Sequence, residues 1–212
     1  MLKIYSFETL SSTQKWLIEK VQDNSVDIPC AVIAEMQTDG IGSRNNRWIG
    51  KKGNFFVSLA ISEKQLPDDL PITAASIYFA CLIKNSLEKF GSKVWVKWPN
   101  DLYIESSKVG GCITVKKGNI LIVGIGINII NAPCDFGILD ITVTPVELLK
   151  IFLKTVEEIP SWKQIFSNFR LEFEKSKEFY THSGNKKLDL KGAVLNEDGS
   201  LMIGNRRVVS LR

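Results

Sequence analysis

Residues 94–128 read VWVKWPNDLYIESSKVGGCITVKKGNILIVGIGIN, and this stretch decides the class of fold. It contains four short apolar runs, at 94–98, 102–104, 111–115 and 120–129. Each is too short for a typical helix and is bounded by turn residues, so all four are predicted strands. Pro99 stops the first, and Asn100-Asp101 supply a turn that also presents a carboxylate. Lys117-Gly118-Asn119 fits a hairpin turn between the last two. Such a run of strands without intervening helices predicts a largely antiparallel sheet.

Outward toward the N-terminus, residues 2–8 (LKIYSFE) alternate as a strand, and Ser11 or Ser12 can cap a helix carrying Trp16, Leu17 and Val21 on one face. A second apolar run at 31–34 ends in Glu35-Met36-Gln37 and opens into a polar, glycine-containing loop, 38–53. The run FFVSLAIS places Phe55, Val57, Leu59 and Ile61 in period two. Pro71 fits the first turn of a helix over 71–90, whose apolar residues wrap widely around it, as in a helix packed on a sheet. Toward the C-terminus, Thr144-Pro145-Val146-Glu147 sets a cap, an N1 proline and an N3 acid before another helix. A last helix over roughly 160–178 leads into short strands separated by Glu197-Asp198-Gly199 and Gly204-Asn205. The mixed order predicts an α+β fold, with a main domain over 1–178 and a small β subdomain over 179–212.

The 212 residues are enough for one full domain plus an appendage, and 44% hydrophobic content suits a globular core. A net charge of +4, with lysines and arginines spread along the chain, gives no nucleic-acid footprint. A mildly basic face suits an acidic partner or a phosphate-bearing ligand. The start MLKIYSFETLSST lacks a cleavable signal pattern, and the longest apolar run, ILIVGIGINII, is about half of what spans a bilayer. No membrane partner is expected. Cys30, Cys81, Cys112 and Cys134 form no CxxC pair and read as reduced, mostly buried thiols of a cytoplasmic protein. The single histidine, His182, has no acidic or cysteine neighbour at ligand spacing.

Three segments carry candidate chemistry. Gln37-Thr-Asp-Gly-Ile-Gly-Ser-Arg-Asn-Asn-Arg-Trp48 joins glycines, which let backbone amides approach an anion, to arginines, which clamp phosphate or carboxylate; a solvated turn is the alternative. It is neither a dinucleotide fingerprint nor a Walker loop. Lys97-Trp-Pro-Asn-Asp101 followed by Lys108-Val-Gly-Gly111 sets a lysine between an Asn-Asp turn and a glycine pair, where a ligand could lie close to the backbone. Val123-Gly-Ile-Gly-Ile-Asn128 places two glycines inside an apolar strand, which usually marks close approach of a ligand or another backbone.

Together and in this order the segments resemble the biotin protein ligase family: Ser12-Thr13 at the first helix start, Gln37 with the 40–48 loop, KWPND at 97–101, Lys108 with Gly111, GIGIN at 124–128, and the end Ser210-Leu211-Arg212. The resemblance implies a central mixed sheet with helices on one face, like class II synthetases, joined to a small β-barrel-like C-terminal part. It implies an ATP-dependent ligase: biotin is activated with Mg-ATP to biotinyl-5′-AMP, then passed to a lysine of a biotin carboxyl carrier protein. Lys108 and Arg44 would be catalytic. Ser12, Thr13, Gln14, Gln37, Gly40, Gly42, Ser43, Trp48, Lys108, Gly110 and Gly111 would hold biotin. Arg44, Arg47, Trp48, Lys97, Asn100, Asp101, Lys108 and Asn128 would hold ATP, with Asp101 toward Mg2+. Where the family loop is of the form GRGRxxRxW, Ile41 and Ser43 replace arginines here, and Arg44 falls one place later. The sequence starts at the catalytic unit, so no DNA-binding winged helix and no DNA partner are expected, and the protein would be a monomer or homodimer. A lipoate-protein ligase and a non-catalytic binding module on the same scaffold are the alternatives.

Overall fold

The computed structural model describes residues 2–43, 46–183 and 186–210. Its centre is an eight-stranded sheet in the order β1 (Lys3–Leu10), β2 (Cys30–Ile41), β4 (Phe55–Ser62), β8 (Ile120–Ile127), β7 (Ser107–Lys117), β6 (Asp101–Ile104) and β5 (Trp95–Lys97). The eighth strand, β3 (Arg47–Gly50), pairs with the far end of β2. Only β1 and β2 run parallel, joined by helix α1 (Thr13–Gln22); every other neighbouring pair in the sheet is antiparallel. Gly118, at φ +58°, makes the expected hairpin turn between β7 and β8.

Alternation along the strands divides the sheet into two faces. Phe55, Val57, Leu59 and Ile61 of β4, with Leu121, Val123, Ile125 and Ile127 of β8, belong to the main core. Helices α2 (Ala75–Glu88), α3 (Pro145–Glu157) and α4 (Trp162–Ser176) contribute to the same core. Ala60 and Ile122 point the other way and join Cys30, Val32 and Leu17 in a second, smaller cluster beneath α1. Three helices therefore share one face, as expected, while α1 covers part of the opposite one. β4 is accordingly buried on both sides, with all seven residues from Phe55 to Ile61 inaccessible. Period two alone would have left one of its faces in water.

Local signals explain the helix boundaries. The Ser12 hydroxyl accepts from Lys15 N to cap α1, and Thr144 and Glu147 form a reciprocal capping box on α3, with Pro145 at its first position. A single 3-10 turn, Ile72–Ala74, intervenes between Pro71 and α2. Asp69 accepts from the Trp162 and Lys163 amides, both at 2.9 Å, and fixes the start of α4. α4 in turn covers the β5 edge: Val96 N donates to Glu172 at 3.4 Å and Trp98 N to Ser176 Oγ at 3.0 Å.

Two expectations change. The segment 38–53 is not a plain loop: β2 runs on to Ile41 and folds back through β3 as a ribbon, pairing Gly40 with Trp48 and Ile41 with Arg47. Gly40 and Gly50 make this possible. A β-carbon at 40 would lie 2.8 Å from Trp48 O, and one at 50 would lie 2.6 Å from Gln37 Cβ. The C-terminal segment does not close a barrel among its described residues. It forms a two-stranded sheet, β9 (Tyr180–Ser183) with β10 (Lys186–Asp189), and a three-stranded one, β11 (Val194–Leu195), β12 (Leu201–Ile203) and β13 (Arg206–Val208). Leu190, Ala193, Leu201 and Val208 join the main core, and the buried Trp98 indole donates to Gly199 O at 2.9 Å.

Candidate functional site

On the α1 side of the sheet, the row Ser58–Gly124–Ile113 crosses β4, β8 and β7 in register. Beside it runs Gly126–Gly111–Asp101–Lys97, crossing β8, β7, β6 and β5. Side chains directly opposite one another share a face. The three glycines leave a trough where neighbouring rows carry side chains. A β-carbon at 124 would lie 2.5 Å from Gln14 Oε1, and one at 126 would lie 2.8 Å from Trp48 Nε1. The first turn of α1 and the β2–β3 ribbon thus close over the trough. The enclosed space, including its open mouth, is about 480 Å³.

One end of the cavity is neutral and polar. Gln37 Oε1 accepts from Thr13 N at 2.7 Å and from Thr13 Oγ1 at 3.1 Å, and Ser58 Oγ donates to Thr13 Oγ1 at 3.0 Å. Gln14 Nε2 is tied to Ile122 O at 3.3 Å, which leaves the buried Oε1 without a partner. The other end is charged. Lys108 Nζ lies 2.6 Å from Asp101 Oδ1, and Lys97 Nζ lies 3.5 Å from Asp101 Oδ2. Asn100 Nδ2 donates to Cys112 O, while Asn100 Oδ1 is buried and unpartnered. Trp48 stands at the lip, edge-on to Phe136 with centroids 6.2 Å apart, and its Nε1 also lacks a partner.

Those three atoms, Gln14 Oε1, Trp48 Nε1 and Asn100 Oδ1, are the buried side-chain nitrogens and oxygens left unsatisfied among the described residues, and all three residues line this cavity. An unsatisfied buried polar group costs about 1–3 kcal/mol. Concentrating them in one place marks a surface built for a ligand with its own donors and acceptors. The chemistry suits an elongated molecule with a neutral polar head at the Gln14 end and an anionic group at Lys108.

Most of the sequence-predicted residues meet here. Ser12, Thr13, Gln14, Gln37, Gly42, Ser43, Trp48, Asn100, Asp101, Lys108 and Gly111 all line the cavity. Five others stand elsewhere. Gly40 is filled in by Trp48 and Gln37, and Gly110 faces the opposite side, where it lets β7 approach Gly126 O. Arg47 is exposed and turned outward, donating to Thr38 O at 2.7 Å. Asn128 is buried, with its amide on Gly137 O at 3.2 Å and its own N–H on Val109 O at 2.7 Å, so it braces the segment that follows β8. Lys97 sits behind Asp101 rather than in the wall. Arg44 lies outside the described residues.

Sequence reasoning missed Ser58 and Ile113 and did not count Gly124 and Gly126 among the site residues, although all four line the cavity. Ser58 had a signal: it is the one hydroxyl inside the apolar run 55–61. A second residue of consequence, Asn54, was also unnoticed. Its buried Oδ1 accepts from three successive amides, Ile129, Ile130 and Asn131, at 3.0, 3.1 and 3.2 Å, pinning the chain beyond β8 to the base of the ribbon.

A family model described as the biotin/lipoate A/B protein ligase family matches residues 6–129, more than half of the chain, and that span contains every residue lining the cavity. The biotin acetyl coenzyme A carboxylase synthetase of Helicobacter pylori, solved with bound biotinylated ATP, is 36% identical with a TM-score of 0.94, over 99% of this chain and 100% of that one. The bifunctional ligase/repressor BirA of Bacillus subtilis is 29% identical over 134 residues, 61% of this chain and 41% of that protein. The biotin–[acetyl-CoA-carboxylase] ligase of Paracoccus denitrificans is 29% identical over 125 residues, 54% of this chain and 50% of that protein. The matched region thus spans half or less of these two curated relatives.

Proposed function

The chain belongs to the biotin/lipoate A/B protein ligase family, and we propose that it activates biotin with ATP and transfers it to a lysine of a biotin carboxyl carrier protein. The observation that carries this reading is the cavity with the unsatisfied Gln14 Oε1 at a neutral end and Lys108 at a charged end. Biotin's ureido ring is neutral and offers both N–H donors and a carbonyl acceptor, and its tail ends in a carboxylate. Gln14 Oε1 accepts a ureido N–H, while Gln37 and the hydroxyls of Ser12, Thr13 and Ser58 serve the rest of the ring. A dithiolane ring has no N–H to give and would leave Gln14 Oε1 buried and unpaired, which favours biotin over lipoate.

In the first half-reaction a biotin carboxylate oxygen attacks the α-phosphorus of ATP; the bond to the bridging oxygen breaks and pyrophosphate leaves. In the second, a carrier lysine amine attacks the acyl carbon, AMP leaves with the bridging oxygen, and the amine loses a proton. Both steps place negative charge on oxygens near one point, where a fixed ammonium lowers the barrier. Lys108 is that ammonium, held by Asp101. The chemistry of Arg44, a guanidinium able to clamp a phosphate, suits it to the nucleotide. Magnesium enters as part of the nucleotide substrate. Among the described residues no group of three or more histidines, cysteines or acids could hold a metal, but Asp101 and the unpartnered Asn100 Oδ1 are oxygen donors of the kind magnesium takes one or two of, beside phosphate oxygens and water. Trp48 and the ribbon shield the mixed anhydride from water.

Incubating the protein with biotin, Mg-ATP and a biotin carboxyl carrier domain should add one biotin mass to the carrier, read by mass spectrometry. Lipoate in place of biotin should add nothing. An unmodified carrier, or equal modification by lipoate, would overturn this reading.

A further inference from the structure

We propose that Lys97 is a positioning residue: a buried cation outside the cavity wall that holds one oxygen of Asp101, so that the other presents Lys108 to the cavity. This rests on the ligase reading above. Lys97 is only 6% exposed, and a buried ammonium is costly unless it is paired and well packed. It has both kinds of support. Its Nζ lies 5.5 Å from the centre of the Tyr103 ring and 5.9 Å from that of Phe179, within cation–π range. The same atom lies 3.5 Å from Asp101 Oδ2.

Register explains why Lys97 lies behind Asp101. Lys97 is the direct cross-strand partner of Asp101, which is the partner of Gly111 on the cavity floor. The row therefore runs from a glycine on the cavity floor, through a carboxylate, to a lysine outside the cavity wall. Asp101 has two oxygens and two lysines, one on each. With Lys108 on Oδ1, the grip of Lys97 on Oδ2 from behind resists rotation of the carboxylate and so keeps the Lys108 ammonium in place. Its action on the reaction passes through Asp101.

A purely structural Lys97 would affect stability alone, so the test separates the two. Lys97→Met, Asp101→Asn and the double variant are compared in the full chain, by pyrophosphate release in a single turnover, by KM for biotin and by thermal midpoint. Lys97→Met should lower the rate about tenfold or more with KM for biotin within about twofold, because the polar end of the cavity is untouched. In the Asp101→Asn background it should cost less than about threefold further, since the partner it acts through is gone. Lys97→Arg, which keeps a cation able to meet Asp101 and stack on the two rings, should stay within about fivefold of the unmodified protein, and it serves if Lys97→Met does not fold. A near-normal rate in folded Lys97→Met, losses that multiply in the double variant, or an arginine variant as slow as the methionine one would each overturn the proposal. If the unmodified protein releases no pyrophosphate with biotin, the ligase reading fails on its own. The thermal midpoints still decide the Lys97–Asp101 link: non-additive shifts support it and additive shifts refute it.

Discussion

Gly124→Ala is the sharpest perturbation of the polar end of the cavity. The new β-carbon would lie 2.5 Å from Gln14 Oε1, 3.0 Å from Gln14 Cδ and 3.2 Å from Ile113 Cγ1. Ile113 stands in register on the neighbouring strand, so the methyl is hemmed on that side as well. The Gln14 amide must therefore swing, breaking its 3.3 Å bond to Ile122 O and taking Oε1 out of the position that a ligand donor would meet. One bond within the protein and one to the ligand are disturbed, at about 0.5–1.5 kcal/mol each, and the methyl also occupies ligand space. Biotin affinity should fall by about 1.5–3 kcal/mol, roughly ten- to hundredfold. Gly124 is not among the left-handed glycines, so an alanine there carries no backbone strain, and its gain of about 0.4–1 kcal/mol through the unfolded chain offsets much of the lost Gln14 bond, so that the thermal midpoint should fall by only a few degrees. Titration calorimetry with biotin measures the first effect and a melting curve the second. A dissociation constant within about threefold of the unmodified value would refute the placement of the ligand head against Gln14.

Lys108→Gln should raise the barrier to adenylate formation by about 3–4 kcal/mol, a loss of roughly two to three orders of magnitude in pyrophosphate release, with little change in melting. A folded variant that releases pyrophosphate normally would remove Lys108 from the mechanism. Asn54→Ala strips a buried acceptor from three amides and should destabilise the fold by about 2–4 kcal/mol in denaturant titration, with faster proteolysis near residues 129–131; a shift under about 0.5 kcal/mol would contradict that. Asp140 offers a pH test. Burial pushes its carboxyl up, but the Ser92 hydroxyl and the Lys93 amide, at 2.6 and 2.8 Å, outweigh this and hold it below the ordinary range. A depressed acid contributes stability above its unfolded pKa and loses it as pH falls through the folded one. The stability difference between the unmodified protein and Asp140→Asn should thus be full at neutral pH and shrink below about pH 4, and a difference independent of pH would count against these bonds.

The antiparallel part of the sheet was legible because turn residues punctuate it: Pro99 ends β5, and Gly118 turns β7 into β8. Helix starts were legible from Ser12 and from Thr144 with Glu147. The ribbon was not, because residues 38–53 are polar and lack alternation, and its pairing depends on backbone approach at Gly40 and Gly50. Nor was the side taken by α1, since periodicity marks which stripe of a helix is apolar and not which face of a sheet receives it. The same gap governs the site. Spacing along the chain brought Lys97, Asp101, Lys108 and Asn128 into one neighbourhood, but it carries no information on which side chains reach the cavity. Strand parity decides that. It puts Gly110 on the far face from Gly111, while strand order sets Lys97 one strand beyond Asp101 in the same row.

That parity also assigns separate tasks to the two faces of the central strands. On one, β4 and β8 present large apolar side chains to three helices; on the other Ala60 and Ile122 pack beneath α1, while Ser58, Gly124 and Gly126 open the cavity. Glycines inside a strand cost about 0.5–1 kcal/mol each, and each unsatisfied polar atom about 1–3 kcal/mol more. The cavity is therefore a destabilising feature, offset by the core beneath it. Two consequences follow together. A ligand that satisfies Gln14, Trp48 and Asn100 should stabilise the fold by mass action, raising the melting temperature with its concentration. Side chains that fill the trough at 124 or 126 should do the reverse to function, abolishing that ligand-dependent rise while the protein stays folded. A site whose occupation and whose obstruction both leave the protein folded, yet only one of which responds to ligand, is distinguished by that pair of measurements from a packing defect in the sheet.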